Sequence, residues 1–166
     1  KLTLKIFRDK KEYFVEFKNG NTVSPLKATG KTNKTGTLIN FIPSREVFSS
    51  VQFSSSLLQK RMRELAFLNK GLSIILVDKT GKKEKQYQNK YNGGIEEFVE
   101  FLDKNKKPLV NKNDSNLFKK PIYISGEKNS VVVECSLKWN ANYSEDMLPF
   151  TNNIHQKDGG THLLGF

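Results

Sequence analysis

The sequence predicts an α/β (α+β sandwich) piece followed by a second, β-rich piece, and three observations carry that reading. Residues 54–71, SSSLLQKRMRELAFLNKG, have the periodicity of an amphipathic helix, with strand-like runs on both sides, TGTLINF before and LSIILV after. Short runs that alternate apolar and polar residues open the chain and recur after residue 120, as half-buried strands do. Charge shifts between the two pieces: residues 1–120 hold 25 Lys and Arg against 12 Asp and Glu, a net of +13, whereas residues 121–166 hold 3 against 5, a net of −2. The Lys- and Asn-rich KKPLVNKNDSNLFKK at 106–120 lies at that shift and reads as a linker.

In order, LTLKIFR (2–8) and YFVEF (13–17) form a hairpin around DKKE, and Asn19-Gly20-Asn21 supplies a second turn. The polar stretch 22–34 has little periodicity and is expected to be a loop with one short edge strand. TGTLINF (35–41) is a strand that Pro43 stops, and PSREVF can form one or two helical turns behind that proline. The helix at 54–71 places Ser56 and Gln59 as a capping box and Gly71 as a left-handed stop. Its apolar arc is Leu57, Leu58, Met62, Leu65 and Leu68, roughly half the circumference at about 100° per residue. A helix with strands on both sides and one broad apolar face should therefore pack against a sheet. Arg61 projects near the middle of the arc, and a guanidinium there must be paired or must snorkel; Glu64, one turn later, lies at the arc's edge.

LSIILV (72–77) is apolar throughout, as in a strand covered on both faces. Asp78-Lys79-Thr80-Gly81 is a hairpin tip, returning through a polar strand at 86–91. Asn92-Gly93-Gly94 opens a second amphipathic helix, IEEFVEFLDKN, with Ile95, Phe98, Val99 and Leu102 on one side. Its Glu residues come early and its Lys late, which suits the helix dipole. Beyond the linker, PIYIS (121–125) and VVVECSLKW (131–139) flank GEKNS as a hairpin. YSEDMLPFTNN is expected as a third strand with Pro149 at an edge or bulge, and DGGTHLLGF as a glycine turn into a helix that Thr161 caps.

The net charge of +11 has two readings. One is nucleic-acid binding. The other is codon drift, because 24 Lys against 4 Arg accompany 16 Asn, and Lys and Asn share A-rich codons. Lys60, Arg61 and Arg63 lack interleaved exposed aromatics and read as a solvated face. No apolar run approaches the roughly 18 residues of a membrane span. The single Cys135 shares a strand face with Val131, Val133 and Leu137, which suits a buried, inert thiol. One Cys and no Cys/His cluster argue against disulfides and structural zinc and suit a reducing compartment. Residue 1 is not Met and enters a strand directly, and THLLGF breaks off as a helix opens, so an internal piece of a longer chain is expected.

Few residues invite chemistry. Lys34-Thr35-Gly36-Thr37 sets a glycine between two threonines at a strand start, where backbone and a hydroxyl can approach a ligand, or where a loop simply enters a strand. The spacing and the GKS or GKT of a P-loop are missing. His155 and His162, the only histidines, have mainly Asp158 near them, short of a metal set. No GxSxG elbow supports a nucleophilic triad. Lys157, beside the Asp158-Gly159-Gly160-Thr161-His162 turn, can meet a phosphate or can simply be solvated. The residues alone show no complete active site.

Four stretches resemble the gyrase B family of bacterial type II topoisomerase subunits, across essentially the whole chain in one register. They are KTGTLINFIPSREVF (34–48), RMRELAFLNKGLSIILVD (61–78), YNGGIEEFVEFL (91–102) and FTNNIHQKDGGTHLLGF (150–166). FTNNI with DGGTHL is nearer to gyrase than to topoisomerase IV, which more often has a VNLIP-like segment there; a topoisomerase IV-type decatenase stays as the alternative. The resemblance implies a GHKL-type ATPase sandwich, with residues 1–105 as its second half, 106–120 as a linker, and 121–166 as the start of the transducer domain. It implies a cytoplasmic, ATP-dependent type II topoisomerase that couples ATP hydrolysis to strand passage and negative supercoiling. ATP and Mg²⁺ are the cofactors it implies. Double-stranded DNA, gyrase A and a second copy of itself at an ATP-dependent dimer gate are the partners, with no membrane.

On that resemblance Thr37 helps organise the adenine end of the nucleotide pocket, Gly36 and Ile39 lie against the same pocket, and Lys157 lines the cavity for transported DNA. The family's catalytic Glu, Mg²⁺-holding Asn, adenine-reading Asp, glycine-rich lid and transducer Lys lie outside these residues. The chain alone is then expected neither to hydrolyse ATP nor to supercoil DNA. Two other readings are a non-enzymatic basic module that binds nucleic acid through charge, and a GHKL chaperone or kinase relative, with which the GGTH segment conflicts.

Overall fold

The computed structural model describes residues 1–113 and 115–166. These divide into two compact units, Lys1–Phe53 and Ser54–Phe166.

The first unit is an antiparallel sheet of β1 (Leu2–Arg8), β2 (Lys11–Lys18), β3 (Asn21–Lys31) and β4 (Gly36–Phe41), in the order β3-β2-β1-β4. Its two tight turns have positive φ at both central residues, Asp9 and Lys10, then Asn19 and Gly20. That is the hand that matches the twist of paired strands. The register sets Leu4 opposite Val15 and Ile39, and Ile6 opposite Tyr13 and Thr37, so these side chains share one largely apolar face. Val15 is buried there. The other face carries Lys5, opposite Phe14 and Leu38, and Lys5 pairs with Glu12 at 3.1 Å. The stretch expected to be mostly loop is instead the eleven-residue edge strand β3. An edge strand needs no apolar alternation, tolerates Pro25 and absorbs the register shifts against β2, so composition hides it. PSREVF makes one turn, with the Val47 and Phe48 N–H groups donating to the Ser44 carbonyl.

The second unit opens with α1 (Ser55–Leu68), which packs on the hairpin of β5 (Ser73–Asp78) and β6 (Lys85–Lys90) and on α2 (Ile95–Asp103). Within its own unit the sheet against which α1 packs is this hairpin. The cap sits two residues earlier than the expected box: Ser54 Oγ accepts the Leu57 N–H at 3.4 Å, and Ser56 Oγ meets Ser54 Oγ. Gly71 does turn the chain, with φ of 78°, and its N–H donates to the Tyr91 carbonyl.

The buried residues of α1 are Ala66 and Phe67, whereas Leu57 from the expected arc is 68% exposed. Phe67 stacks on Tyr91 at 3.6 Å between ring centroids and on Phe98 at 4.8 Å, and reaches Phe101 at 5.5 Å. Two partners at once, hairpin and α2, decide which face of α1 is covered. β5 is covered on one face only: its side chains alternate, and Ile75 and Val77 stay exposed. Gly94 starts α2 with φ of 63°, and a Cβ there would lie 2.4 Å from Lys70 Cε.

The rest of the unit comprises β7 (Ile122–Lys128), β8 (Val131–Leu137), β9 (Phe150–Thr151), β10 (Ile154–His155) and α3 (Gly160–Gly165). Strands β7 and β8 run through residues expected to be the turn and bend only at Asn129 and Ser130, both at positive φ. The inner end of β8 packs on α2, while Val131 and Val133 are exposed. Cys135 is consequently half-buried rather than buried, and that burial pushes its thiol up. Residues 143–149 form no strand; the chain folds back instead in the two-residue strands β9 and β10 around Asn152 and Asn153, also at positive φ. Thr161 lies inside α3, and Gly159 occupies the cap position.

Phe67 has partners on three sides, so Phe67→Ala should cost about 3–5 kcal/mol and lower the urea midpoint without changing the slope. Asp78 joins β5 to α1: its carboxylate accepts from Ser55 Oγ at 2.6 Å and from the Thr80 N–H and hydroxyl at 2.9 and 2.6 Å. These bonds, Ser55 first, hold the carboxyl down at about 2. The unfolded chain, with an ordinary carboxylate at 3.8, then binds more protons between about pH 4 and pH 2, so stability must fall as pH falls through that window. Asp78→Asn should flatten that part of the stability-against-pH curve, read by denaturation at a series of pH values.

Candidate functional site

β4 is an edge strand, paired on one side to β1, with Gly36 opposite Phe7, Thr37 opposite Ile6 and Ile39 opposite Leu4. Alternation puts Thr37 and Ile39 on the same face of the sheet and Leu38 on the other. All six residues of β4 are exposed, Ile39 at 57%. Gly36 has φ of 130°, a conformation side chains other than glycine's rarely adopt, and no atom lies within 4 Å of where its Cβ would stand. The result is an open strand edge with a hydroxyl, an aliphatic side chain and an uncovered backbone. It can approach the flat face or the edge of a ligand. It offers no general base, nucleophile or metal set of its own.

Lys157 lies in the second unit, just beyond β10. With Met147, Pro149, His155, Asp158, Gly159 and Leu163 it lines an open depression of about 560 Å³. His155 lies against Phe150, with ring centroids 5.3 Å apart, and His162 lies within α3. Among the described residues no three His, Cys, Asp or Glu side chains are grouped so as to hold a metal ion. Thr37 and Lys157 belong to different compact units.

Three groups that sequence reasoning passed over, or left without a partner, prove structurally placed. Arg61, near the middle of the expected arc, is half-buried and donates to Glu64 Oε2 at 3.0 Å and to the Asn153 carbonyl at 2.7 Å. The spacing of three residues could have pointed to Glu64; nothing in the sequence points to a carbonyl 92 residues away. Arg63, expected on a solvated face, lies over the Phe101 ring at 4.9 Å. Asp103 and Lys138 form an ion pair at 2.7 Å, with side chains only 11% and 14% exposed, and Asn140 Nδ2 donates to the same carboxylate.

Residues 94–166 match the family model described as DNA gyrase B. Over 99% of its length the chain is 40% identical to the DNA gyrase B protein of Rickettsia felis, and 39% identical to that of Streptococcus pyogenes. Over almost its whole length the chain is similar to DNA gyrase B proteins. It spans 20% and 24% of the length of those two relatives. The fold agrees: 98% of the chain superposes, with a TM-score of 0.78 and 30% identity, on 42% of a crystal structure of the 43K ATPase domain of Thermus thermophilus gyrase B in complex with an aminocoumarin. The mixed α/β class expected from the sequence is thus the class of a gyrase B ATPase domain. No helix is long and apolar enough to cross a membrane, among the described residues.

Gly36→Ala would meet no neighbouring atom yet must adopt a φ that alanine avoids. The entry into β4 should therefore be strained at a cost of about 1–3 kcal/mol, measured by chemical denaturation of the variant against the parent.

Proposed function

We propose that this chain is part of an ATP-dependent type II DNA topoisomerase of the gyrase B type, acting in the cytoplasm. In this reading ATP binding and hydrolysis are coupled to DNA strand passage and negative supercoiling. The observation that carries the reading is the likeness, over almost the whole chain, to an ATPase domain of gyrase B. Residues 1–105 supply the second half of the nucleotide-binding domain, 106–120 a linker, and 121–166 the start of the transducer. ATP binds with its adenine end beside β4. Thr37 offers a hydroxyl there that both donates and accepts, Gly36 lets a ligand approach the backbone, and Ile39 adds an apolar contact. ATP brings Mg²⁺, whose protein ligands in this reading come from other parts of the complete protein.

Lys157 contributes a positive charge toward the phosphates of duplex DNA. Gyrase A and a second copy of the gyrase B protein complete the assembly. Because β4 brings no general base to the nucleotide, this chain neither hydrolyses ATP nor supercoils DNA alone.

The test is nucleotide affinity in the complete gyrase B protein. Thr37→Trp should weaken ATP binding at least tenfold by titration calorimetry, because the indole occupies the space beside the strand edge, while Thr37→Ser should stay within about threefold. Equal affinity of parent and Thr37→Trp would remove β4 from the site.

A further inference from the structure

The docking of β9 and β10 needs a physical cause, because strands of two residues each do not hold an orientation by themselves. Their own bonds are the pairings Ile154 with Thr151 and His155 with Phe150, closed by the Gln156 N–H donating to the Pro149 carbonyl at 2.9 Å. Phe150 of β9 lies near Phe98 of α2, with ring centroids 6.5 Å apart, and the tip of the turn is held from α1. Arg61 Nη2 donates to the Asn153 carbonyl at 2.7 Å, and Arg61 Nη1 is held by Glu64 at 3.0 Å. The Asn153 side chain donates to Asn69 Oδ1 at 3.1 Å, and Asn69 Nδ2 is anchored on the Leu65 carbonyl at 2.7 Å. Arg61, Leu65 and Asn69 recur every four residues, so one face of α1 grips both the backbone and the side chain of Asn153. Asn153 is also at φ of 67°, a conformation asparagine tolerates better than most residues. A guanidinium suits the Arg61 position because it donates in two fixed directions at once, which an ammonium does less well.

We propose that Arg61 is a positioning residue. Through the Asn153 carbonyl it fixes the turn between β9 and β10, and so sets the placement of the segment that leads into Lys157. This rests on the proposed DNA contact of Lys157. Arg61 touches neither nucleotide nor DNA in this reading; it acts by denying the turn alternative orientations, so that DNA engaging the depression meets a preorganised surface.

The experiment compares the complete enzyme with its Arg61→Gln and Arg61→Lys variants in two measurements. Amide hydrogen exchange should rise about tenfold across residues 150–156 in Arg61→Gln, with α1 changing less than about twofold. ATP turnover without DNA should hold, while its acceleration by duplex DNA falls about fivefold; Arg61→Lys should recover part of both losses. Unchanged exchange at 150–156 overturns the proposal. So does faster exchange with undiminished DNA acceleration, which would make Arg61 a purely structural clamp, or an equal loss of DNA-free turnover. A parent enzyme whose ATP turnover ignores DNA would refute the assignment of Lys157, and the exchange result would still decide whether Arg61 holds the turn.

Discussion

The second unit depends on the stack that Phe67 makes. Phe67 is 1% exposed, and the rings of Tyr91, Phe98 and Phe101 lie around it. These come from α1, the residue after β6, and α2, so one side chain joins three elements that are otherwise only a helix, a two-stranded hairpin and a short helix. None of those is stable alone: a lone hairpin and a nine-residue helix are both marginal in water. Ala66 beside Phe67 is fully buried, and its small side chain lets α1 come close. The backbone turns around the stack follow suit, with Gly71 bonded to Tyr91 and Gly94 yielding to the stem of Lys70.

On this aromatic centre the later β elements are attached by a different chemistry. Beside the packing of β8 on α2 and of Phe150 on Phe98, several links are polar: Asp103 with Lys138 and Asn140, Lys106 with Asp146, Lys70 over the Tyr123 ring, and Arg61 with Asn153. The Asp103 pair is the most enclosed, and an enclosed pair gives little net stability while strongly penalising any arrangement that separates its members. Links of this kind specify a geometry more than they add stability.

The candidate nucleotide residues stand in a contrasting setting. Thr37 and Ile39 lie on an edge strand whose side chains are all exposed, and the glycine before them holds an unusual φ. Edges of this kind present unpaired N–H and C=O groups, and most are blunted by charge or proline. β3, the opposite edge of the same sheet, is blunted in that way by Pro25, Lys27 and Lys31, whereas β4 carries neither charge nor proline. Within the first unit's sheet, then, β3 is the blunted edge and β4 the unblunted one, and β4 bears the threonine.

The sequence by itself determined the local grammar: the hairpins at the start, the helices that became α1 and α2, the glycine turn at residue 71, and the resemblance carried by TGT, RMRELAFLN and DGGTHL. These are readable because periodicity, turn residues and motif spacing are properties of neighbours along the chain. β3 was not legible, because an edge strand relieves its residues of the alternation that betrays a strand. The face of α1 was misread for a related reason: periodicity shows that a helix has an apolar side, but only the bodies packed against it decide how far that side extends, and here hairpin and α2 together chose Ala66 and Phe67 over Leu57. The candidate residues Gly36, Thr37 and Lys157 could be named from the sequence, but their setting could not: an exposed strand in one unit and an open depression in the other. Arg61 marks the boundary between the two kinds of information. Its place on an apolar arc announced that a partner was required, and only the tertiary structure, by bringing a tight turn 92 residues away onto α1, decided that a backbone carbonyl joins Glu64 in that role.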